Sequence, residues 1–200
     1  MTYRWKLKDI IMVGILGVIF AVIYLAVLYA GLGVTAVLTP YGLGTLGFEI
    51  FYGIWFMGAT LAMYIIQKPG VAIVTEFLAA FLEMLMGNSG GPMVLLSGAM
   101  QGLGCELGFT VFRYKRYDML SMCMSGIFAA LISFAFGFIQ AGFGLIDAGL
   151  LVVMLGVRIA TAVLFAGVIS KKTGDGLAKT GVLKSYELGM RMRPAEVLDD

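Results

Sequence analysis

The sequence predicts an all-α integral membrane protein, a bundle of six transmembrane helices with the N- and C-termini in the cytoplasm. Three observations predict it. Of 200 residues, 60% are hydrophobic and only 13% charged, and the mean hydropathy is +0.97; a soluble domain carries about 25% charged residues. Six apolar stretches follow one another, each near the roughly 20 residues that cross a hydrocarbon core. Finally, every lysine and arginine but one falls on the same side of that six-pass topology, which is the signature of cytoplasmic loops.

The first span is expected at about Ile10–Ala30. The basic start MTYRWKLKDI leads straight into it with no small-residue cleavage site, so it is read as the beginning of a retained helix. Turn residues Gly31, Gly33 and Pro40–Gly44 separate it from a second span at about Thr45–Ile66. Lys68-Pro69-Gly70 then turns into a shorter third span, about Val71–Met86. The polar run Gly87-Asn88-Ser89-Gly90-Gly91-Pro92 follows. The fourth span is expected at about Met93–Phe112, the fifth at about Met119–Gln140 and the sixth at about Ile146–Ser170. Residues 1–172 thus form the transmembrane domain, and 173–200 a cytoplasmic tail that is mixed in character and ends in Asp199-Asp200.

The basic residues fix the orientation. Arg4, Lys6 and Lys8 precede the first span; Lys68 lies between the second and third; Arg113, Lys115 and Arg116 lie between the fourth and fifth. Lys171, Lys172, Lys179, Lys184, Arg191 and Arg193 follow the sixth. The loops on the other side carry none. A five- or seven-span topology breaks this pattern.

Composition also excludes chemistry. With no histidine, a His-based triad, a histidine zinc site and a histidine proton relay are ruled out. Cys105 and Cys123 are two buried small hydrophobes, not a disulfide framework or a metal cluster. No nucleophile–base pair and no Gly-x-x-x-x-Gly-Lys-Ser/Thr nucleotide loop is present, so neither an enzyme nor a chain that hydrolyses ATP by itself is expected, and no cofactor or metal is assigned to it. Nothing in the pattern points to nucleic acid; the lipid bilayer is the surrounding phase.

The informative residues are the charges left in the membrane. Glu49, Glu76, Glu83, Glu106 and Asp147 lie within the spans or at their outer ends, and only Arg158 opposes them. A buried charge in hydrocarbon costs at least a few kcal/mol and faces the bundle interior or a wet cavity. A structural ion pair between Arg158 and Glu106 or Glu76 is one reading. By depth, Glu49, Glu83, Asn88, Gln101, Gln140 and Asp147 share the outer half. Tyr41, Tyr52 and Trp55 sit at the same level, either as an interfacial aromatic belt or as binding groups. Carboxylates beside aromatic faces suit a flat organic cation, through Coulombic attraction, hydrogen bonds and cation–π contact. A rival reading is a self-sufficient secondary transporter or channel for an organic or metal cation, with Glu76, Glu83 and Glu106 as its path; no inverted repeat supports it.

Small residues four apart recur: Gly98 and Gly102, Gly104 and Gly108, Gly17 and Ala21, Ala26 and Ala30, Gly126 and Ala130. Such spacing lets helices approach closely, either inside the chain or against a partner. The first helix has no charge to bury, so its Gly14, Gly17 and Ala21 are the candidate partner-docking face.

Two stretches, "LTPYGLGTLGFEIFYGIWFMGATLAMYIIQKPGVAIVTEFLAAFLEMLMGNSGGP" and "GAMQGLGCELGFTVFRYKRYD", resemble the substrate-binding S-component of energy-coupling factor (ECF) vitamin transporters, and within it the YkoE group linked to thiamine or its hydroxymethylpyrimidine precursor. The likeness extends to about Lys172. It implies a multi-pass protein of the bacterial plasma membrane that binds a vitamin on the outer side and does no chemistry. A transmembrane coupling subunit and two cytoplasmic ATPase subunits, which hydrolyse the ATP, would be its partners. The family's coupling motif on the first helix is Ala-x-x-x-Ala; Gly17-x-x-x-Ala21 is the nearest match in the cytoplasmic half. A thiamine-like ligand implies contacts from Glu83 and Glu49, with Tyr52 or Trp55 stacking on a ring.

Overall fold

The computed structural model describes residues 4–192, and the described residues form helices joined by turns, without strands. Helix α1 spans Leu7–Leu38, longer at both ends than the expected first span. At 1.5 Å per residue its 32 residues reach about 48 Å, more than the roughly 30 Å core. Asp9 starts it, accepting the Lys6 N–H at 2.7 Å. A 3-10 turn, Thr39–Tyr41, ends the run at Gly42, whose φ of 71° suits glycine.

The expected second span is not one helix. It consists of a four-residue helix α2, Leu46–Glu49, a 3-10 stretch Tyr52–Phe56, and α3, Met57–Ile66. Two contacts explain the break. The Thr161 hydroxyl donates to the Glu49 carbonyl at 3.2 Å, taking the place of a helical N–H. Gly53 lies so close to the Thr161 and Ala162 backbone that a Cβ has no room. Helix α3 then runs through the middle of the bundle. From Gly58 to Ile66 every residue is buried, as expected of a helix that is apolar all round.

Helix α4, Val71–Leu85, matches the expected third span to within a residue. Its start is capped from another helix: the Glu106 carboxylate accepts the N–H groups of Gly70 at 2.7 Å and Ala72 at 3.0 Å. Helix α5 spans Met93–Thr110 and α6 Met119–Gln140. Asp118 begins α6 with a reciprocal cap, accepting the Ser121 N–H at 3.0 Å while its own N–H reaches the Ser121 hydroxyl. Helix α7, Ala148–Ala162, passes through a π-helical segment, Val163–Ile169, into α8, Ser170–Lys179. Three helical runs, Leu7–Tyr41, Met119–Gln140 and Ala148–Lys179, are long and apolar enough to cross a membrane.

Four of the five small-residue pairs are used inside the chain; Ala26 and Ala30 are exposed. Gly98 and Gly102 let α5 approach α4 at Ala80 and Ile73, while Gly104 and Gly108 let it approach α6 at Ala129 and Ser125. Helix α5 is therefore gripped from both sides, by glycines offset by six residues. On α1, Gly17 rests against Leu78 of α4 and Ala21 is 1% exposed. Both are packing residues of this chain and not a free docking face. Gly14 has nothing within 4 Å of its Cβ position. The outward stripe of α1 is Ile11, Ile15, Val18, Ile19 and Val22, apolar as lipid contact requires.

The segment after Lys172 does not leave the bundle. Helix α8 runs through it, and α9, Glu187–Arg191, returns to α3. Leu183, Tyr186 and Leu188 are buried. The Tyr186 hydroxyl donates to the Lys8 carbonyl at 2.9 Å, the Lys8 ammonium donates to the Ser185 carbonyl, and Tyr64 reaches Asp175. At the same end Lys68, a turn residue by sequence, is buried and pairs with Asp9 at 2.5 Å. Arg193, Asp199 and Asp200 lie outside the described residues.

The α5–α6 contact generates a stability prediction. Gly108→Val places methyl groups where the Ser125 backbone already lies, and should lower stability by about 1–3 kcal/mol or more through overpacking. Gly14→Ala meets open space inside a helix and should not lower stability, raising it by up to about 1 kcal/mol. Thermal unfolding of both purified variants in detergent checks the contrast.

Candidate ligand-binding site

Between the C-terminal halves of α1, α4 and α6, the N-terminal half of α5, α7 and the broken α2–α3 segment lies a cavity of about 430 Å³, within the size range of small-molecule sites. Seven of the nine residues expected to bind ligand line it: Glu49, Tyr52, Trp55, Glu83, Asn88, Gln101 and Gln140. The other two do not. Asp147 is spent on the start of α7, accepting the Gly149 and Leu150 N–H groups at 2.8 and 3.2 Å. Tyr41, in the 3-10 turn after α1, is 75% exposed and away from the cavity.

Arg158 decides the electrostatics. It is 1% exposed and grips Glu49 with two parallel bonds, Nε to Oε2 at 2.6 Å and Nη2 to Oε1 at 2.5 Å. This fork-on-carboxylate geometry is the strong form of the pair. Nη1 donates to the Ser133 hydroxyl at 3.2 Å. The guanidinium lies 3.5 Å from the Tyr52 ring centroid, with Phe134 and Phe143 at 5.1 and 5.7 Å. The expected pairing of Arg158 with Glu106 or Glu76 is thus corrected. Glu106 caps α4, and Glu76 lies on another wall.

That other wall is α4. Glu76 and Glu83 are seven residues apart, two helical turns, so both face the cavity about 10 Å apart along the axis. Their partners are neutral. The Tyr24 hydroxyl donates to Glu76 Oε2 at 3.0 Å. The Asn88 amide donates to Glu83 Oε1 at 2.7 Å, and Asn88 Oδ1 accepts the Gly90 N–H at 2.7 Å. Glycine permits this clasp: Gly87 and Gly91, with φ of 106° and 59°, fold the loop back over the end of α4. Across the cavity, Gln101 donates to the Ser97 hydroxyl at 2.9 Å. No lysine or arginine among the described residues forms an ion pair with Glu76 or Glu83.

The cavity therefore has two different walls. The wall of Glu49, Arg158 and Tyr52 is neutralised within itself. The α4 wall presents two carboxylates with no counter-charge, beside Trp55 and Phe48. Sequence reasoning left Tyr24, Glu76, Ser97 and Arg158 out of the site. The seven-residue spacing of Glu76 and Glu83 was the available signal for one of them; Tyr24 gave none beyond a hydroxyl in an apolar run.

Residues 8–132 match the family described as "ABC-type cobalt transport system, permease component". Over 189 residues, 94% of this chain and 92% of the relative, the sequence is 36% identical to "Putative HMP/thiamine permease protein YkoE" of Bacillus subtilis (strain 168). The fold superposes with a TM-score of 0.90, at 36% identity and covering 94% and 93% of the two chains, on the "Crystal structure of an S-component of ECF transporter". The chain belongs to the YkoE-like S-components of ECF transporters. Members of this family are components of transporters and not enzymes, and this S-component is accordingly a multi-pass protein of the bacterial plasma membrane.

The Arg158–Glu49 pair yields a second prediction. Arg158→Met leaves a buried carboxylate with no partner and should cost about 3–5 kcal/mol of stability. Adding Glu49→Leu should recover most of that loss, since the second change removes the orphaned charge. Unfolding midpoints for the four members of the cycle test it; additive losses would contradict the pairing.

Proposed function

We propose that the chain is the substrate-binding subunit of an ECF-type ABC importer and takes thiamine, or its hydroxymethylpyrimidine precursor, into the cavity from the outer side. One observation carries the reading: Glu76 and Glu83 face a cavity lined by aromatic rings with only neutral donors to satisfy them. A carboxylate at this depth is stabilised most by a cation. Thiamine brings a fixed thiazolium charge and an aminopyrimidine amine, one group for each acid. Trp55 offers an aromatic face, while the inner face of Tyr52 is already occupied by Arg158. The name of the Bacillus subtilis relative supports the same ligand class.

In this proposal the chain crosses the membrane six times, with α2–α3, α4 and α5 as the shorter passes. Both termini and the loop 113–118 face the cytoplasm, the embedded part ends near Lys172, and residues 173–200 form the cytoplasmic tail. The Gly87–Pro92 loop is the outer mouth. Transport needs a transmembrane coupling subunit and two ATPase subunits; ATP is hydrolysed there and no cofactor is held by this chain. Docking to the coupling subunit uses the outward face of α1 near Gly14.

Calorimetric titration with thiamine tests the site. Glu83→Gln keeps the shape, removes the charge and should weaken binding by about 1.5–3 kcal/mol, the range of a charge-assisted hydrogen bond. That is roughly ten- to a hundredfold. Glu76→Gln should do the same. Unchanged affinity in both would remove the α4 wall from the ligand's contacts.

Two further measurements test the transporter assignment. A single cysteine at position 90, in a background lacking Cys105 and Cys123, should react with an impermeant reagent from outside only. Liposomes containing this chain alone should bind thiamine without accumulating it; sustained uptake driven by an ion gradient would favour a self-sufficient transporter instead.

A further inference from the structure

Tyr24 is 0% exposed and borders the cavity. That hydroxyl accepts the Gly58 N–H at 3.1 Å and lies 3.0 Å from Glu76 Oε2. The two bonds leave no freedom in the direction of the hydroxyl proton. A backbone N–H can only donate, so the tyrosine oxygen accepts there, and its one proton goes to the carboxylate. The residue joins three elements at one atom: α1 supplies the ring, the first turn of α3 supplies the N–H, and α4 supplies the acid. The Gly58 position is shaped for it, since a Cβ there would lie 2.7 Å from the hydroxyl oxygen. The ring itself is held by Phe20, with centroids 5.7 Å apart.

On the reading that this cavity takes a cationic ligand, we infer that Tyr24 is the positioning residue for Glu76: its hydroxyl fixes one carboxylate oxygen and leaves the other to meet the ligand. Tyr24 touches the ligand's partner and not the charge itself. The effect of its hydroxyl on binding therefore passes through Glu76, to which its one proton is committed. Oε2 is occupied by Tyr24, the Ala59 backbone is a further donor to the carboxylate, and no other side chain is bonded to Oε1 among the described hydrogen bonds. A carboxylate held at one oxygen presents a single oriented acceptor, and an acceptor already aimed costs less to engage than one that must be ordered on binding.

The test uses the full chain in detergent and thiamine as probe. Tyr24→Phe should weaken thiamine binding by about tenfold, the value of one charge-assisted hydrogen bond. Combined with Glu76→Gln, it should cost no more than Glu76→Gln alone, because the two act as a unit. In ligand-free protein carrying isotope-labelled glutamate, the infrared band that disappears in Glu76→Gln should shift in Tyr24→Phe. Losses that multiply in the double variant, or a band that stays in place, would overturn the inference. If Tyr24→Phe does not fold, 3-fluorotyrosine at position 24 keeps the ring and alters the hydroxyl, and the same band must move. If wild-type protein does not bind thiamine, the functional reading fails by itself, while the band still decides whether Tyr24 holds Glu76.

Discussion

One guanidinium in the middle of the bundle constrains much of the rest. Arg158 cannot be left in hydrocarbon without a counter-charge and a full set of acceptors. Glu49 satisfies Nε and Nη2, Ser133 satisfies Nη1, and three aromatic rings close around the plane. Glu49 meets the fork squarely where the helix that carries it stops. The break at Glu49, the 3-10 stretch after it and the hydroxyl of Thr161 on the freed carbonyl belong to the same arrangement. The irregular backbone is tolerated at this depth because it is enclosed by protein and borders a cavity.

The neutralised pair in turn gives the cavity its asymmetry. With Arg158 and Glu49 satisfying each other, the demand for positive charge comes from α4. The loop after α4 then has a defined task. Asn88 reaches back to Glu83 and is itself held by the Gly90 N–H, so the loop and the acid form one hydrogen-bonded unit. Close helix approach holds these walls in place. Glycines on two sides of α5 set its distance from α4 and α6, and α4 carries both acids.

Much of this was legible in the sequence. Hydropathy located α1, α4, α5, α6 and α7 because each is a continuous apolar run bounded by glycine, proline or charge. Depth along those runs brought Glu49, Glu83, Asn88, Gln101 and Gln140 to one level, and the cavity collects all five. What failed was pairing. Depth does not say which way a side chain points, so it offers Glu106 or Glu76 as the partner of Arg158, whereas the partner is Glu49 and Glu76 lies on the opposite wall. Asp147 shows a second limit, since a carboxylate just ahead of a helix is as well explained by capping as by a ligand. The glycine pairs were correct as contact surfaces, but spacing alone cannot tell an inner face from an outer one; Leu78 settles that for Gly17. The seat of the tail on α3 depends on Leu183, Tyr186 and Leu188, three apolar residues too few and too scattered to register as periodic.

The bond between Glu49 and Arg158 joins residues 109 positions apart, and the chain is synthesised from one end. When Glu49 emerges from the ribosome, its counter-ion has yet to be made. Until then the four-residue α2 is too short to be stable alone, its glutamate is unmatched, and the segment has no favourable place in the bilayer interior. Glu49 can meet the guanidinium only after α4, α5 and α6 have been made and the chain has reached Arg158 on α7. One wall of the cavity thus joins an early element of the chain to a late one, and it is complete only when both have been made.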